Sequence, residues 1–203
     1  MENIGRLIAS KIKFQLPKGL FMFKLNDKVV YPGHGVAVID EIVEKNVAGV
    51  KVNFFKLSFL YKDMTILLPT GNFKRTGVRY PDNQKGVEAA MIELQKLPAK
   101  KSDYMDCTPS AWNKRNKDYQ LKIQEGKLVE IARIYRDLMF VSKQKELSFG
   151  EKNLLQTVEE LLVQEIQLIT KKDKDFVMQE IKDPFKQLFF HHVDPHEQVS
   201  SAA

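Results

Sequence analysis

The sequence predicts an α+β protein in which a small, strongly bent β-sheet or partial barrel comes first and an all-α helical bundle follows. Two features carry that expectation. Between Phe23 and Pro69 apolar residues recur with the two-residue period of strands, and beyond Gly86 they recur at the i, i+3, i+4, i+7 spacing of helices. After the first helical pattern, Pro98 and the polar stretch AKKSDYMDCTPS mark the clearest break in the chain.

Residues 1–21 form an N-terminal extension with a short amphipathic pattern (Ile4, Leu7, Ile8, Ile12) that Pro17 and Gly19 interrupt. A lone short helix is marginal in water, so a surface helix or frayed tail is expected rather than a membrane anchor. Met22 is a candidate alternative start. Residues 22–80 form the β-domain. FKLNDKVVY alternates, PGHG turns, VAVIDEIVEKN continues, and KVNFFKLSFLY and MTILLP follow, separated by Lys62 and Asp63. Four or five short strands are too few for a sandwich and suit a bent sheet whose edges can dock a partner.

Residues 81–109 are expected to be a connecting helix and linker, with Val87, Ala90, Met91, Leu94 and Leu97 on one stripe and Pro98 as the stop. Residues 110–170 are the helical domain. Ser110, Ala111 and Trp112 open a charged helix that ends at Gly126, and Leu128, Ile131, Ala132, Tyr135 and Leu138 form the core face of the next. Ser148 and Glu151 stand at capping-box spacing ahead of an apolar stripe from Leu154 to Ile166. Residues 171–203 are a tail, with a short helix near Phe176–Ile181 limited by Pro184 and Pro195.

A net charge of +6 and a pI near 9.2 favour polyanionic partners such as nucleic acid or anionic lipid. With 43% hydrophobic residues the chain is not of disordered composition. One cysteine, Cys107, permits no internal disulfide, and no cysteine–histidine cluster suggests zinc, so a reducing cytoplasm is the expected compartment. No apolar run approaches the roughly 18 residues of a membrane span, and Lys11 and Lys13 break up any signal-peptide core. No phosphate loop, dinucleotide fingerprint or paired-histidine zinc motif occurs, so no cofactor and no enzymatic activity are expected. His34 is read as a structural turn residue. His191, His192 and His196 lack the partners of a metal site, and Cys107 lacks the context of an activated thiolate.

The start of the charged helix is the best candidate for a nucleic-acid contact. Trp112, the sole tryptophan, directly precedes Lys114, Arg115 and Lys117. One reading makes it a core residue beside a solvated face. The other lets the three cations neutralise backbone phosphates while the indole enters a minor groove or stacks at a junction.

Four segments also resemble the CarD/CdnL family. Phe23–Val36 (FKLNDKVVYPGHGV) is similar to the family's F-K-x-G-D-x-V-V-Y-P-x-H-G opening, and Thr108–Trp112 with its basic run resembles the Trp-led helix. Ile131–Leu138 and Leu147–Lys152 are similar to V-A-x-V-x-R-D-L and L-S-x-x-E-K, in the same order. The resemblance spans about residues 22–170, and the transcription-repair coupling factor shares the first motif. It implies a Tudor-like β-domain that binds the RNA polymerase β subunit. It also implies a helical domain that contacts promoter DNA just upstream of the bubble, with Trp112 as the wedge that stabilises the open complex. Carried over by position, the polymerase contacts fall on Lys45, Asn46 and Val47 and on Thr65, Ile66, Leu67 and Pro69. Leu67 stands where some members have arginine, so docking is expected to rest more on strand addition and apolar contact. The implied protein is monomeric when free, has no membrane partner, and reaches the nucleoid through the polymerase. Two rivals are an accessory module related to the coupling factor, and an RNA-binding barrel stacking bases on Phe54, Phe55, Phe59 and Tyr61.

Overall fold

The computed structural model describes residues 23–71, 73–97 and 108–190. The expectations for residues 1–21, Met22, Cys107 and the three tail histidines lie outside the described residues. Four strands, β1 (Lys28–Tyr31), β2 (Gly35–Val47), β3 (Val50–Phe59) and β4 (Thr65–Pro69), pair in sequence order as an antiparallel meander. The sheet curls into a half-barrel around Phe23, Val29, Ile39, Phe55, Leu57 and Leu68, giving the bent β-domain of the predicted α+β class.

Two local features shape the sheet. Val47 pairs with Val50 across Ala48 (φ 51°) and Gly49 (φ 85°), a two-residue turn whose positive φ values match the strand twist. The β2–β3 register shifts between Ile39 and Glu41, so Asp40 is bulged out and the side-chain alternation reverses. Ala37 and Ile39 face the core before the bulge. After it Ile42 packs inward, and Glu41, Val43, Lys45 and Val47 turn to the outer face.

A single helical turn, α1 (Phe73–Thr76), leads to α2 (Gln84–Gln95), whose N-cap Asn83 accepts from the Gly86 amide at 3.1 Å. The helix ends before Leu97, which is 60% exposed rather than part of the apolar stripe. Helix α3 (Pro109–Glu125) is capped by Thr108 and closed by Gly126 at φ 69°. It is followed by α4 (Leu128–Gln144), α5 (Phe149–Thr170) and α6 (Lys174–Phe190). At the start of α5 the predicted capping box is complete: the Ser148 hydroxyl accepts from Glu151 N, and Ser148 N donates to the Glu151 carboxylate at 2.8 Å.

Helix α2 contributes Val87, Ala90 and Leu94 to the same core as α4 and α5, so it is packed into the bundle. A buried ion network fastens it there, with the Glu93 carboxylate accepting from Arg136 at 2.7 Å and Arg133 at 3.0 Å. The tail departs most from expectation, because α6 runs straight through Pro184. Val177, Ile181 and Phe185 keep one buried stripe across the proline, and Phe185 stacks edge-on to Tyr135 and Phe140. Burial of that stripe outweighs the roughly 3 kcal/mol that an internal proline costs a helix.

The two halves are joined by a built interface. Arg79 pairs with Val30 as an isolated β-bridge, and its guanidinium makes a bidentate pair with Glu165 of α5 at 2.7 Å to each oxygen. Glu165 also accepts from the Asp82 amide at 2.9 Å, and Arg79 Nε donates to the Gly126 carbonyl at 2.8 Å. At the PGHG turn, Gly35 (φ 104°) lies so close to the Gln164 side chain that a Cβ there would collide with it. Gln164 accepts from the Val36 amide at 3.3 Å. Leu168 then packs against Val30 and Val36, so α5 is attached to β1 and β2 by charge, hydrogen bond and apolar contact.

Candidate protein-docking and nucleic-acid interfaces

Strand register decides which of the predicted docking residues share a surface. Lys45 pairs with Val52, Val43 with Phe54, Phe54 with Pro69, Lys56 with Leu67, and Ser58 with Thr65. Cross-strand partners point to the same face. Because Phe55 and Leu57 are core residues, Phe54, Lys56 and Ser58 look outward, and Lys45, Val47, Thr65, Leu67 and Pro69 therefore share the outer face. Asn46 and Ile66 alternate to the opposite face, and Ile66 packs against the β-domain core. The outer face also carries Val43, Val52 and Phe54, which motif matching had not placed there.

The hairpin extends beyond its neighbours. Strand β1 pairs only with Gly35–Val38 and β4 only with Phe54–Ser58. Among the described residues no strand covers the free edge of β2 from Asp40 to Val47, and the tip exposes Val47 (48%) and Val50 (63%). A two-stranded ribbon with valines on its outer face and open backbone donors and acceptors has the form of a strand-addition site.

At the helical end, α3 and α5 lie side by side with their N-termini together. A Cβ built on Gly150 would sit 3.7 Å from Trp112 Cζ2, and one built on Gly33 would sit 3.6 Å from Ile123. The cleft between the helices therefore runs from Trp112 down to the PGHG turn, about 16 Å along α3. Trp112 is half-buried and packs on the helical core. Lys114 and Lys117 are exposed and form no ion pair among the described residues, but they lie about 140–200° around the helix from the indole. Arg115 is half-buried and close enough to the Tyr119 hydroxyl to act on it electrostatically. The structure thus brings the four predicted residues to one helix end without putting them on one face. The polar residues opposite Trp112, Asn153 and Thr157 on α5, were not singled out from sequence, because only packing brings α5 there.

Electrostatics around the site are structural. Burial, reinforced by the donated hydrogen bond to Asp27 at 2.7 Å, pushes the Tyr80 hydroxyl up to about 12. Burial also raises Tyr119 and Tyr135 well above the usual range. His34, set against the rings of Tyr31 and Phe59, is held below its ordinary value by partial burial and by Lys62. Phe55 and Phe59 lie in the core, which removes them from any base-stacking platform. No group of metal-ligating side chains is found, and no helix is long and apolar enough to cross a membrane, among the described residues.

A curled β-module docked on a helical module, each with its own open surface, defines a two-part interaction protein. Comparison with known proteins places that class in transcription. Residues 23–80 match the CarD-like/TRCF RID domain, an RNA-polymerase-interacting module, and residues 100–182 match the CarD C-terminal domain. A Bacillus subtilis (strain 168) protein named "Putative transcription factor YdeB" is 30% identical over 148 residues, covering 73% of this chain and 92% of the relative. The chain belongs to the CarD family, whose modules are interaction domains of transcription factors rather than enzymes.

Proposed function

We propose that this protein binds the RNA polymerase β subunit with the outer face and free β2 edge of its sheet. At the same time it binds promoter DNA with the N-terminal ends of α3 and α5, and so stabilises the open complex. The observation that carries the reading is the shared outer face of Lys45, Val47, Thr65, Leu67 and Pro69, next to an uncovered strand edge. Strand addition supplies backbone hydrogen bonds, and the valines supply apolar burial, so a leucine at position 67 suits such an interface. At the other end, Lys114, Arg115 and Lys117 supply phosphate contacts without base information. An end-on approach lets one duplex meet the lysines and the indole even though they lie on different sides of α3. Tighter binding to the melted than to the closed promoter is sufficient for the effect, since about 1.4 kcal/mol of difference shifts the ratio tenfold. The protein acts as a monomer in the cytoplasm, held at the nucleoid by the polymerase. A pull-down with the isolated β subunit tests the first half: the wild type is retained, Val47→Asp is not, and retention of both contradicts the assigned face.

A further inference from the structure

On the side of α2 opposite Glu93 and its ion network, the helical bundle leaves an apolar groove open. The groove has a volume of about 390 Å³ and lies between α2 and the first turns of α6, over the C-terminal end of α5. Val87 and Ile166 are buried at its floor, Met91 is half-buried beside them, and Ile92 stands 57% exposed on its wall. Lys172 is the one cation lining it and is already paired with Glu180 at 2.6 Å. Glu88, exposed on the α2 side, has no ion-pair partner among the described residues. The groove is therefore an apolar trough with one uncompensated negative charge, and its α2 wall from Gln84 to Gln95 is about 16 Å long.

The chain itself carries a segment that fits this trough. Residues 1–21 stand ahead of Phe23, where the match to the first module begins. Ile4, Leu7, Ile8 and Ile12 recur there at helical spacing, and Lys11 falls on the same stripe. Arg6, Lys11, Lys13 and Lys18 outnumber the one carboxylate, Glu2, so the segment and the groove are opposite in charge. The segment also enters the fold beside the groove: the Phe23 and Tyr80 ring centroids are 4.7 Å apart, and Gln84 follows Tyr80 by four positions. The 11 positions from Ile12 to Phe23 span up to about 36 Å when extended. The middle of α2 lies at most roughly 22 Å from Tyr80, so the reach is sufficient.

We propose that residues 4–12 of this same chain dock in the groove as a short helix, with Ile4, Leu7, Ile8 and Ile12 against Val87, Met91, Ile92 and Ile166 and with Lys11 beside Glu88. A helix of that length, about 12 Å, fits the trough. It is marginal alone in water, and burial of its apolar stripe supplies what its propensity lacks. The other end of the chain is the poorer occupant. Residues 191–203, HHVDPHEQVSSAA, have two valines as their large apolar residues and follow Phe190, ten positions beyond Glu180, which carries them about 15 Å along α6. The docked segment would cover the open side of α2 without touching the outer face of the sheet or the cleft beside α3, so it is independent of the polymerase and DNA readings.

The test uses the full chain, isotopically labelled for NMR, with Cys107→Ser and a nitroxide attached at Gln95→Cys, an exposed position at the end of the groove. In dilute solution the amide signals of residues 4–12 should lose half or more of their intensity. Leu7→Asp combined with Ile8→Asp should abolish that loss and lower the unfolding midpoint by about 4 °C, while the remaining spectrum shows the fold intact. Glu88→Lys should weaken the broadening, and adding Lys11→Glu to the same chain should restore it; a swap that restores nothing overturns the placement of Lys11. Unbroadened signals at residues 4–12, or broadening that survives Leu7→Asp with Ile8→Asp, overturn the docked segment. Mixing nitroxide-bearing chains without the isotope with isotope-labelled chains without the nitroxide tests a second copy as occupant, and broadening between copies contradicts docking within one chain. Polymerase β subunit that shifts the Met91 and Ile92 signals while residues 4–12 stay unbroadened assigns the groove to a protein partner and likewise overturns the proposal.

Discussion

The two ends of the molecule offer opposite chemistries. The β2–β3 ribbon presents valines and an unpaired strand edge; its outer face carries Lys45 and a weak Lys56–Glu41 contact at 3.8 Å, while Lys51 and Glu44 pair at 2.9 Å on the opposite face. The helical end presents exposed lysines around a neutral, amide-lined cleft. Apolar burial and backbone pairing are almost insensitive to salt, whereas phosphate contacts weaken steeply with it. Under the proposed function, a chain built this way would stay on its protein partner over a wide ionic range and tune only its grip on DNA. Between the ends, α5 is pinned to the sheet by Glu165–Arg79 and Gln164–Val36, so each end holds a fixed position relative to the other.

The largest expected effect comes from breaking that link. Arg79→Ala leaves Glu165 (5% exposed side chain) buried without its bidentate partner. Stability should fall by about 3 kcal/mol in denaturant titrations, with loss of joint binding before loss of either separate activity. Undiminished stability would mean that the two modules are merely tethered. Trp112→Ala should shorten the open-complex lifetime about tenfold while retention on the β subunit is unchanged, which separates the two ends kinetically. Reversing charge at Lys114 and Lys117 together should flatten the logarithmic salt dependence of DNA binding by roughly two units. The salt response of polymerase binding should stay flat, and parallel changes at both ends would erase the contrast.

The smallest effect concerns pH. Burial alone would raise the Glu151 carboxyl, but Lys145 at 2.7 Å and the Ser148 amide and hydroxyl outweigh it and hold the group low. A carboxyl with a depressed folded pKa stabilises the fold above its unfolded value of about 4.3, and that contribution is lost as pH falls through the folded value. Glu151→Gln should therefore be less stable than wild type at neutral pH by about 1–3 kcal/mol, with the gap closing in acid. The α5 start is where Trp112 rests, so DNA affinity should follow the same trend while the ribbon does not.

Much of this was legible in the residues because it depends on local spacing. The capping box at Ser148, the glycine stop at Gly126 and the strand–turn–strand around PGHG are short-range signals, and each forms where expected. Alternation in VAVIDEIVEKNV reads as one continuous strand, yet the bulge at Asp40 reverses its faces, and only pairing with β3 reveals it. That reversal decides that Lys45 and Val47, rather than Asn46, look outward. Pro184 was misleading for a similar reason: its local penalty is real, but Phe185 is buried against two aromatic rings far away in sequence. Arg79 and Glu165 stand 86 residues apart, and the cleft beside Trp112 is assembled from three separate segments. No window of sequence contains either feature.

Joint occupancy is the most direct measurement. Labelled fork-junction promoter DNA, the polymerase β subunit and this protein should migrate as one ternary species in analytical ultracentrifugation, and Val47→Asp or Arg79→Ala should dissolve it. If the DNA and the β subunit instead displace one another from the wild-type chain, the two surfaces do not act together and the adaptor account is wrong.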